Sequence, residues 1–150
     1  RKDLIGKKEG LPTMLDYKTH AEKGSMFNTP PTFAIYMAGL VFEQLLADGG
    51  VPAAQVRNEE KAAYLYDFID NSKLFKGTVV PKDRSIMNVP FVTGDPDKDA
   101  AFVKQAAAAG LTNLKGHRSV GGMRASIYNA MTLEGVKALV EFMKKFELEN

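Results

Sequence analysis

The pattern of apolar and polar positions separates one long apolar run near the N-terminus from a C-terminal part in which the period changes. Residues 1–29 are mixed and polar and predict only short helices. Apolar residues then fill almost every position of 31–46, so a helix there has hardly any polar face. Such a helix is buried on most sides, and we expect other parts of the protein to cover it.

Capping signals predict where the first two long helices begin and end. The motif "NTPPT" at 28–32 makes Thr29 a candidate N-cap, with Pro30 at the first helical position, where a missing N–H costs nothing. "DGG" at 48–50 ends this helix. A second helix follows over 52–71. Its apolar stripe is Ala62, Leu65, Tyr66 and Ile69, and its outward charged residues are Arg57, Glu59, Glu60 and Lys61.

From residue 75 onward the apolar period is typical of strands alternating with helices. "GTVV" (77–80) and "SIMNVPFVT" (85–93) predict two strands, and 111–116 and 122–130 predict two more. Asp95 and Thr132 are N-caps of two helices, the first ended by Gly110. The last helix has one apolar face, formed by Leu133, Val136, Leu139, Val140, Met143 and Phe146. This order favours an α/β protein with an α+β small domain, an antiparallel or mixed sheet with helices on one face.

Composition excludes several classes of protein. The net charge of +2, with both signs interspersed, does not provide the basic patch that is typical of nucleic-acid-binding proteins. The absence of cysteine excludes disulfides and thiolate metal sites, and two histidines without paired carboxylates argue against any metal site. No apolar run reaches the roughly 20 residues of a membrane span. The N-terminus does not resemble a signal peptide and lacks an initiating Met, so we expect the chain to start partway through a larger protein.

The stretch "GHRSVGGMRAS" at 116–126 carries the most chemistry. Its glycines allow a sharp turn, and Arg124 and Ser126 share one strand face. Guanidinium groups bind carboxylates and phosphates bidentately, and His117 adds one or two donors. If the loop brings Arg118 and Arg124 together, these two side chains and His117 could bind a compact dianionic ligand. The alternative is a solvated loop with Arg118 on the surface and Arg124 in a structural ion pair.

The motif "NTPPT" is a second candidate anion site, because helix N-termini attract anions. Pro30 and Pro31 lack the backbone N–H, so a phosphate there depends on the Asn28 amide and the Thr29 hydroxyl. The alternative is a well-capped helix with no ligand.

Two segments together resemble one family closely. "MFNTPPTFAIYMAGLVFEQL" and "LKGHRSVGGMRASIYNAM", followed by "LEGVKALVEFM", are similar to phosphoserine aminotransferases, which are class-V, pyridoxal-phosphate-dependent transaminases of fold type I. The resemblance runs from about Asp3 to the end of the chain. It implies that 1–50 belong to the large cofactor-binding domain and 51–150 to a small C-terminal α+β domain.

The resemblance also implies a reaction and a set of binding residues. The family exchanges an amino group between glutamate and 3-phosphohydroxypyruvate in serine biosynthesis, and some members serve pyridoxine biosynthesis. Arg124 would bind the substrate α-carboxylate, while His117 and Arg118 would reach the distal phosphate or carboxylate in the partner's site of a homodimer. Asn28 and Thr29 would reach the cofactor phosphate of the neighbouring subunit. The implied location is the cytoplasm.

One departure from the family pattern qualifies this expectation. The family's Schiff-base lysine, and the acidic partner of the cofactor's ring nitrogen, lie upstream of the residue matched by Arg1, and neither Lys7 nor Lys8 replaces them. We therefore expect this chain to lack the N-terminal portion of the enzyme, to hold no catalytic residue, and to be inactive alone. The alternative is a stand-alone anion-binding or interaction module that reuses the small-domain fold.

Overall fold

A computed structural model describes residues 1–150 and divides them into two units, Arg1–Ala47 and Asp48–Asn150. The first unit contains two short 3-10 turns, Lys2–Leu4 and Thr13–Leu15, and two helices. Helix α1 spans Tyr17–Glu22 and helix α2 spans Thr32–Ala47.

Helix α2 begins two residues later than the sequence predicts. The amide of Ile35 donates to the Pro31 carbonyl at 3.1 Å, so Pro31 occupies the N-cap position. The prediction of Thr29 as the N-cap is wrong. A residue that precedes proline is disfavoured in the helical region, and this restriction applies to both Thr29 and Pro30.

Helix α2 is left largely uncovered within residues 1–150, as expected for a helix that other parts of the protein cover. None of its residues is buried, and Phe33, Phe42 and Leu46 are 76%, 62% and 73% exposed. The apolar pattern identified the helix correctly, and most of its apolar side chains are exposed. A continuous apolar surface of this kind is normally covered by other protein.

The second unit is built on a three-stranded antiparallel sheet. Its strands are β1 (Lys76–Gly77), β2 (Asn88–Val92) and β3 (Met123–Ser126), in the order β1-β2-β3. Its helices are α3 (Gly50–Asn71), α4 (Pro96–Ala108) and α5 (Leu133–Glu149), with a 3-10 turn at Pro81–Asp83. The predicted helices are confirmed, and the strands predicted at 85–93 and 122–130 are confirmed in shorter form. The strand predicted at 77–80 lies earlier, at Lys76–Gly77, and shares only Gly77 with the prediction.

The predicted strand at 111–116 is wrong. This segment runs beside β3 through a single bridge between Lys115 and Met123, and the Arg124 amide donates to the Leu114 carbonyl at 2.8 Å. Asn113 has φ +62°, a left-handed conformation that interrupts extended pairing.

One face of the sheet packs against the helices. Val89 and Phe91 of β2 and Met123 and Ala125 of β3 are buried, while the residues between them are half-buried on the opposite face. Rings from the sheet, from two helices and from the loop after α3 meet in the core at centroid distances of 5.1 to 6.1 Å. These rings are Phe75, Phe91, Phe102 and Phe146. The predicted antiparallel sheet with helices on one face is confirmed.

The predicted caps of α4 and α5 are also confirmed. The Asp95 carboxylate accepts from the Asp97 amide at 2.9 Å, and the Thr132 hydroxyl accepts from the Gly135 amide at 3.2 Å. Of the predicted α5 face, Leu133 is half-buried and the other five residues are buried.

One charged residue predicted to point outward from α3 is buried instead. Lys61 is 3% exposed, although its neighbours Glu59 and Glu60 are exposed. Main-chain carbonyls bind its ammonium, and sequence periodicity cannot show such partners because they belong to a distant loop.

Candidate functional site

The loop at 116–122 follows a path that requires glycine. The Gly116 amide donates to the Gly122 carbonyl at 2.8 Å, which closes the loop. A Cβ atom on Gly116 would lie 2.0 Å from the Gly121 carbonyl oxygen. Gly122 has φ +62°, and a Cβ atom there would lie 2.6 Å from Val92 Cγ1. The glycine spacing seen in the sequence therefore encodes this backbone geometry.

We expect Gly116→Ala to lower the free energy of unfolding by about 1–3 kcal/mol, because the added methyl group collides with backbone that has to move. Urea unfolding of the chain, followed by circular dichroism, measures the change. Gly77→Ala is the matched control, since a Cβ atom at Gly77 meets its nearest atoms at 3.5 and 3.8 Å. Equal stability of the two variants would contradict the prediction.

His117 and Arg118 lie at the exposed part of this loop. Nδ1 of His117 accepts a hydrogen bond from the Ser119 amide at 3.3 Å, and the Ser119 hydroxyl lies 2.7 Å from the same atom. Because a backbone amide can only donate, Nδ1 is unprotonated in this arrangement, and Nε2 carries the hydrogen. Sequence reasoning missed Ser119, although its spacing of two residues from His117 was the available signal.

His117 and Arg118 line a cleft of about 510 Å³, which we call the loop cleft. Lys104 and Lys115 also line it, so cationic groups come from both α4 and the loop. The Asp99 carboxylate borders the same cleft but accepts hydrogen bonds from the amide and hydroxyl of Thr93 at 2.8 and 2.7 Å. This arrangement suits an anionic ligand.

Arg124 lies on β3, on the sheet face that does not pack against the helices. It is half-buried, pairs across the sheet with Pro90, and its Nε is buried without a hydrogen-bond partner. The alternative of a structural ion pair finds no support, since no carboxylate contacts this guanidinium. A buried donor without a partner costs about 1–3 kcal/mol. An anionic ligand would remove that cost.

The sequence suggested that Arg118 and Arg124 could converge, and the structure does not bring them together within one chain. Arg124 lines a separate cavity of about 390 Å³, together with Asn113, Ser126 and apolar side chains. The loop closes at Gly122 before β3 begins, which leaves Arg118 in the loop and Arg124 on the sheet.

Asn28 and Thr29 lie in the N-terminal unit, and both are exposed. The Asn28 amide nitrogen lies 3.5 Å from the Met14 sulfur, a weak acceptor, and the Thr29 hydroxyl has no hydrogen-bond partner. Both side chains therefore have donors available for a ligand.

No group of three or more His, Asp or Glu side chains is placed to hold a metal ion. None of the helices has both the length and the apolar character needed to cross a bilayer.

A family profile described as "Aminotransferase class-V" matches residues 5–139. This chain belongs to the class-V aminotransferase family. The match includes all five candidate binding residues, from Asn28 to Arg124.

Individual relatives of this class-V aminotransferase chain are phosphoserine aminotransferases. The protein of that name from Listeria innocua is 60% identical over 146 residues, which are 97% of this chain and 40% of that protein. The Lactiplantibacillus plantarum protein is 60% identical over 150 residues, 100% of this chain and 42% of that protein. The chain thus spans about 40% of the length of these relatives.

Solved structures agree with the fold. The phosphoserine aminotransferase from Bacillus circulans subsp. alkalophilus superimposes with a TM-score of 0.90 at 43% identity, covering 99% of this chain and 42% of that one. A structure described as pyridoxal-phosphate-bound phosphoserine aminotransferase from Trichomonas vaginalis gives a TM-score of 0.82 at 43% identity, covering 91% and 39%. The resemblance inferred from the two sequence segments is confirmed.

Proposed function

We propose that residues 1–150 form part of a phosphoserine aminotransferase that transfers an amino group between glutamate and 3-phosphohydroxypyruvate. The products are O-phosphoserine and 2-oxoglutarate. The sequence relatives support this proposal. Within the chain, its main support is Arg124, whose Nε is buried without a hydrogen-bond partner. The reaction belongs to serine biosynthesis in the cytoplasm, and pyridoxine biosynthesis is proposed as a second role.

Residues of the first unit suit the phosphate group of pyridoxal phosphate, the cofactor named for one relative. When bound, this cofactor supplies the electron sink for amino-group transfer. We assign the exposed Asn28 amide and Thr29 hydroxyl as donors to its phosphate. Pro30 and Pro31 contribute no N–H, so these side chains matter more than at an ordinary helix start.

Residues of the second unit suit the two ends of a small dianionic substrate. The Arg124 guanidinium binds the α-carboxylate bidentately, which gives its buried Nε a partner. His117 Nε2–H and Arg118 bind the distal phosphate of one substrate or the distal carboxylate of the other. Because these two residues line the loop cleft and Arg124 lines another cavity, we propose that two copies of the enzyme complete each other's sites in a homodimer.

A chimera tests the proposed function. Residues 1–150 replace the matching segment of the Listeria innocua phosphoserine aminotransferase, and formation of 2-oxoglutarate from glutamate and phosphohydroxypyruvate is followed. We expect turnover within about tenfold of the parent enzyme, because the segments are 60% identical. A folded chimera without transaminase activity, but with retained affinity for phosphate, would favour a stand-alone anion-binding module.

Arg118→Ala in this chimera is expected to lower kcat/KM more for phosphorylated substrates than for unphosphorylated ones. The loss on phosphohydroxypyruvate should be about 1.5–3 kcal/mol in kcat/KM, the scale of a hydrogen bond to a charged group. Steady-state kinetics with phosphoserine and with an uncharged analogue measure the difference. Equal losses on the two would show that Arg118 does not bind the phosphate.

A further inference from the structure

Lys61 is a buried ammonium group without a carboxylate partner. It lies on α3, and its Nζ donates to the main-chain carbonyls of Ile127, Tyr128 and Met131 at 3.3, 2.9 and 2.9 Å. Three acceptors match the three donors of an ammonium group. Burial, with a smaller contribution from the positive charge of Arg57, lowers the pKa of Lys61. Main-chain carbonyls alone therefore satisfy the hydrogen-bond donors of this buried ammonium group.

All three carbonyls belong to the segment 127–131, which we call the β3–α5 connection. A second side chain of α3, Asn58, donates from Nδ2 to Asn129 Oδ1 in the same connection at 2.8 Å. On the other side, the Ile127 amide donates to the Met87 carbonyl at 2.8 Å and prolongs the pairing of β2 with β3. The end of β3 is therefore fixed by α3 and by β2.

Arg124 lies on β3, three residues before the first carbonyl that Lys61 binds. Its Nε is buried and makes no hydrogen bond within the chain. Since no hydrogen bond from Nε fixes the guanidinium, the backbone position of β3 directly influences where it lies. Binding groups have to be held within about 0.5 Å of the productive geometry to be effective.

We propose that Lys61 is a positioning residue for Arg124. Its ammonium donates to three carbonyls of the β3–α5 connection and so fixes the point where β3 leaves the sheet. That point determines the direction in which the Arg124 side chain faces a carboxylate. This inference rests on the proposed function, in which Arg124 binds the substrate α-carboxylate.

The kinetic test uses the chimera with the Listeria innocua enzyme, with Lys61→Met compared with Lys137→Met. Methionine keeps the length of the side chain and removes its donors, whereas Lys137 is exposed on α5. We expect Lys61→Met to raise KM for both glutamate and phosphohydroxypyruvate by about tenfold, with a smaller change in kcat, and Lys137→Met to change neither. A lower melting temperature with unchanged KM would mean a purely structural role and would overturn the proposal.

A spectroscopic test separates failure of this inference from failure of the proposed function. In residues 1–150, the ¹⁵N–¹H signal of Arg124 Nε, assigned by its loss in Arg124→Lys, should shift in Lys61→Met and stay in place in Lys137→Met. Lys61→Arg, which keeps the charge but not the three-donor ammonium, should shift the signal too, and it replaces Lys61→Met if that variant does not fold. An unmoved signal overturns the role of Lys61, whereas absent transamination by the unmodified enzyme rejects the proposed function alone.

Discussion

Residues 1–150 expressed alone are expected to show no transaminase turnover with pyridoxal phosphate, glutamate and phosphohydroxypyruvate. Transamination needs a lysine amine that holds the cofactor and later moves a proton. The family resemblance places that lysine outside the matched segment, and the chain spans about 40% of its relatives' length. The donors of Asn28, Thr29 and Arg124 are suited to anions but cannot replace a neutral amine as a base. The assay follows 2-oxoglutarate over time.

The matched control is the chimera with the Listeria innocua enzyme, which adds the rest of that enzyme while keeping residues 1–150 unchanged. We expect turnover from the chimera and none from the chain alone under identical conditions. Sustained turnover by the chain alone, with one of its lysines attached to the cofactor after borohydride reduction, would show that the catalytic lysine lies within residues 1–150.

Arg124→Lys in the chimera is expected to cost about 2–4 kcal/mol of transition-state stabilisation, although the positive charge is kept. Arginine offers two parallel N–H donors to a carboxylate, whereas lysine offers a single compact charge. The buried Nε, which finds no partner in the chain, is the donor that lysine cannot reproduce. A loss of about 30- to 1,000-fold in kcat/KM should follow for both substrates.

Arg57→Lys is the control for this loss, because Arg57 is exposed and its guanidinium donates to the Asp48 carbonyl at 3.2 Å. We expect kcat/KM to be unchanged in that variant. If Arg124→Lys keeps kcat/KM within twofold of the unmodified chimera, Arg124 does not bind the carboxylate bidentately.

The sequence alone was sufficient for several features that depend on neighbouring residues, although not for the N-cap of α2 or the segment 111–116. The period of α5, its Thr132 cap and the strand within 85–93 were predicted and confirmed, because they depend on residues close together in the sequence. The glycines of the 116–122 loop also showed where a sharp turn had to lie. The family resemblance followed from two such local motifs.

Tertiary structure decided the features that depend on distant partners. Lys61 reads as an outward charge on α3, yet it is buried, because the carbonyls that bind it lie more than sixty positions away. The helix α2 reads as a core helix, yet none of its residues is buried, since burial depends on what surrounds a helix. Likewise, only the fold shows that Arg124 lacks a partner for Nε and lines a different cavity from Arg118. The type of a residue determines which groups its side chain can bind, and the tertiary structure determines which of those groups lie within bonding distance.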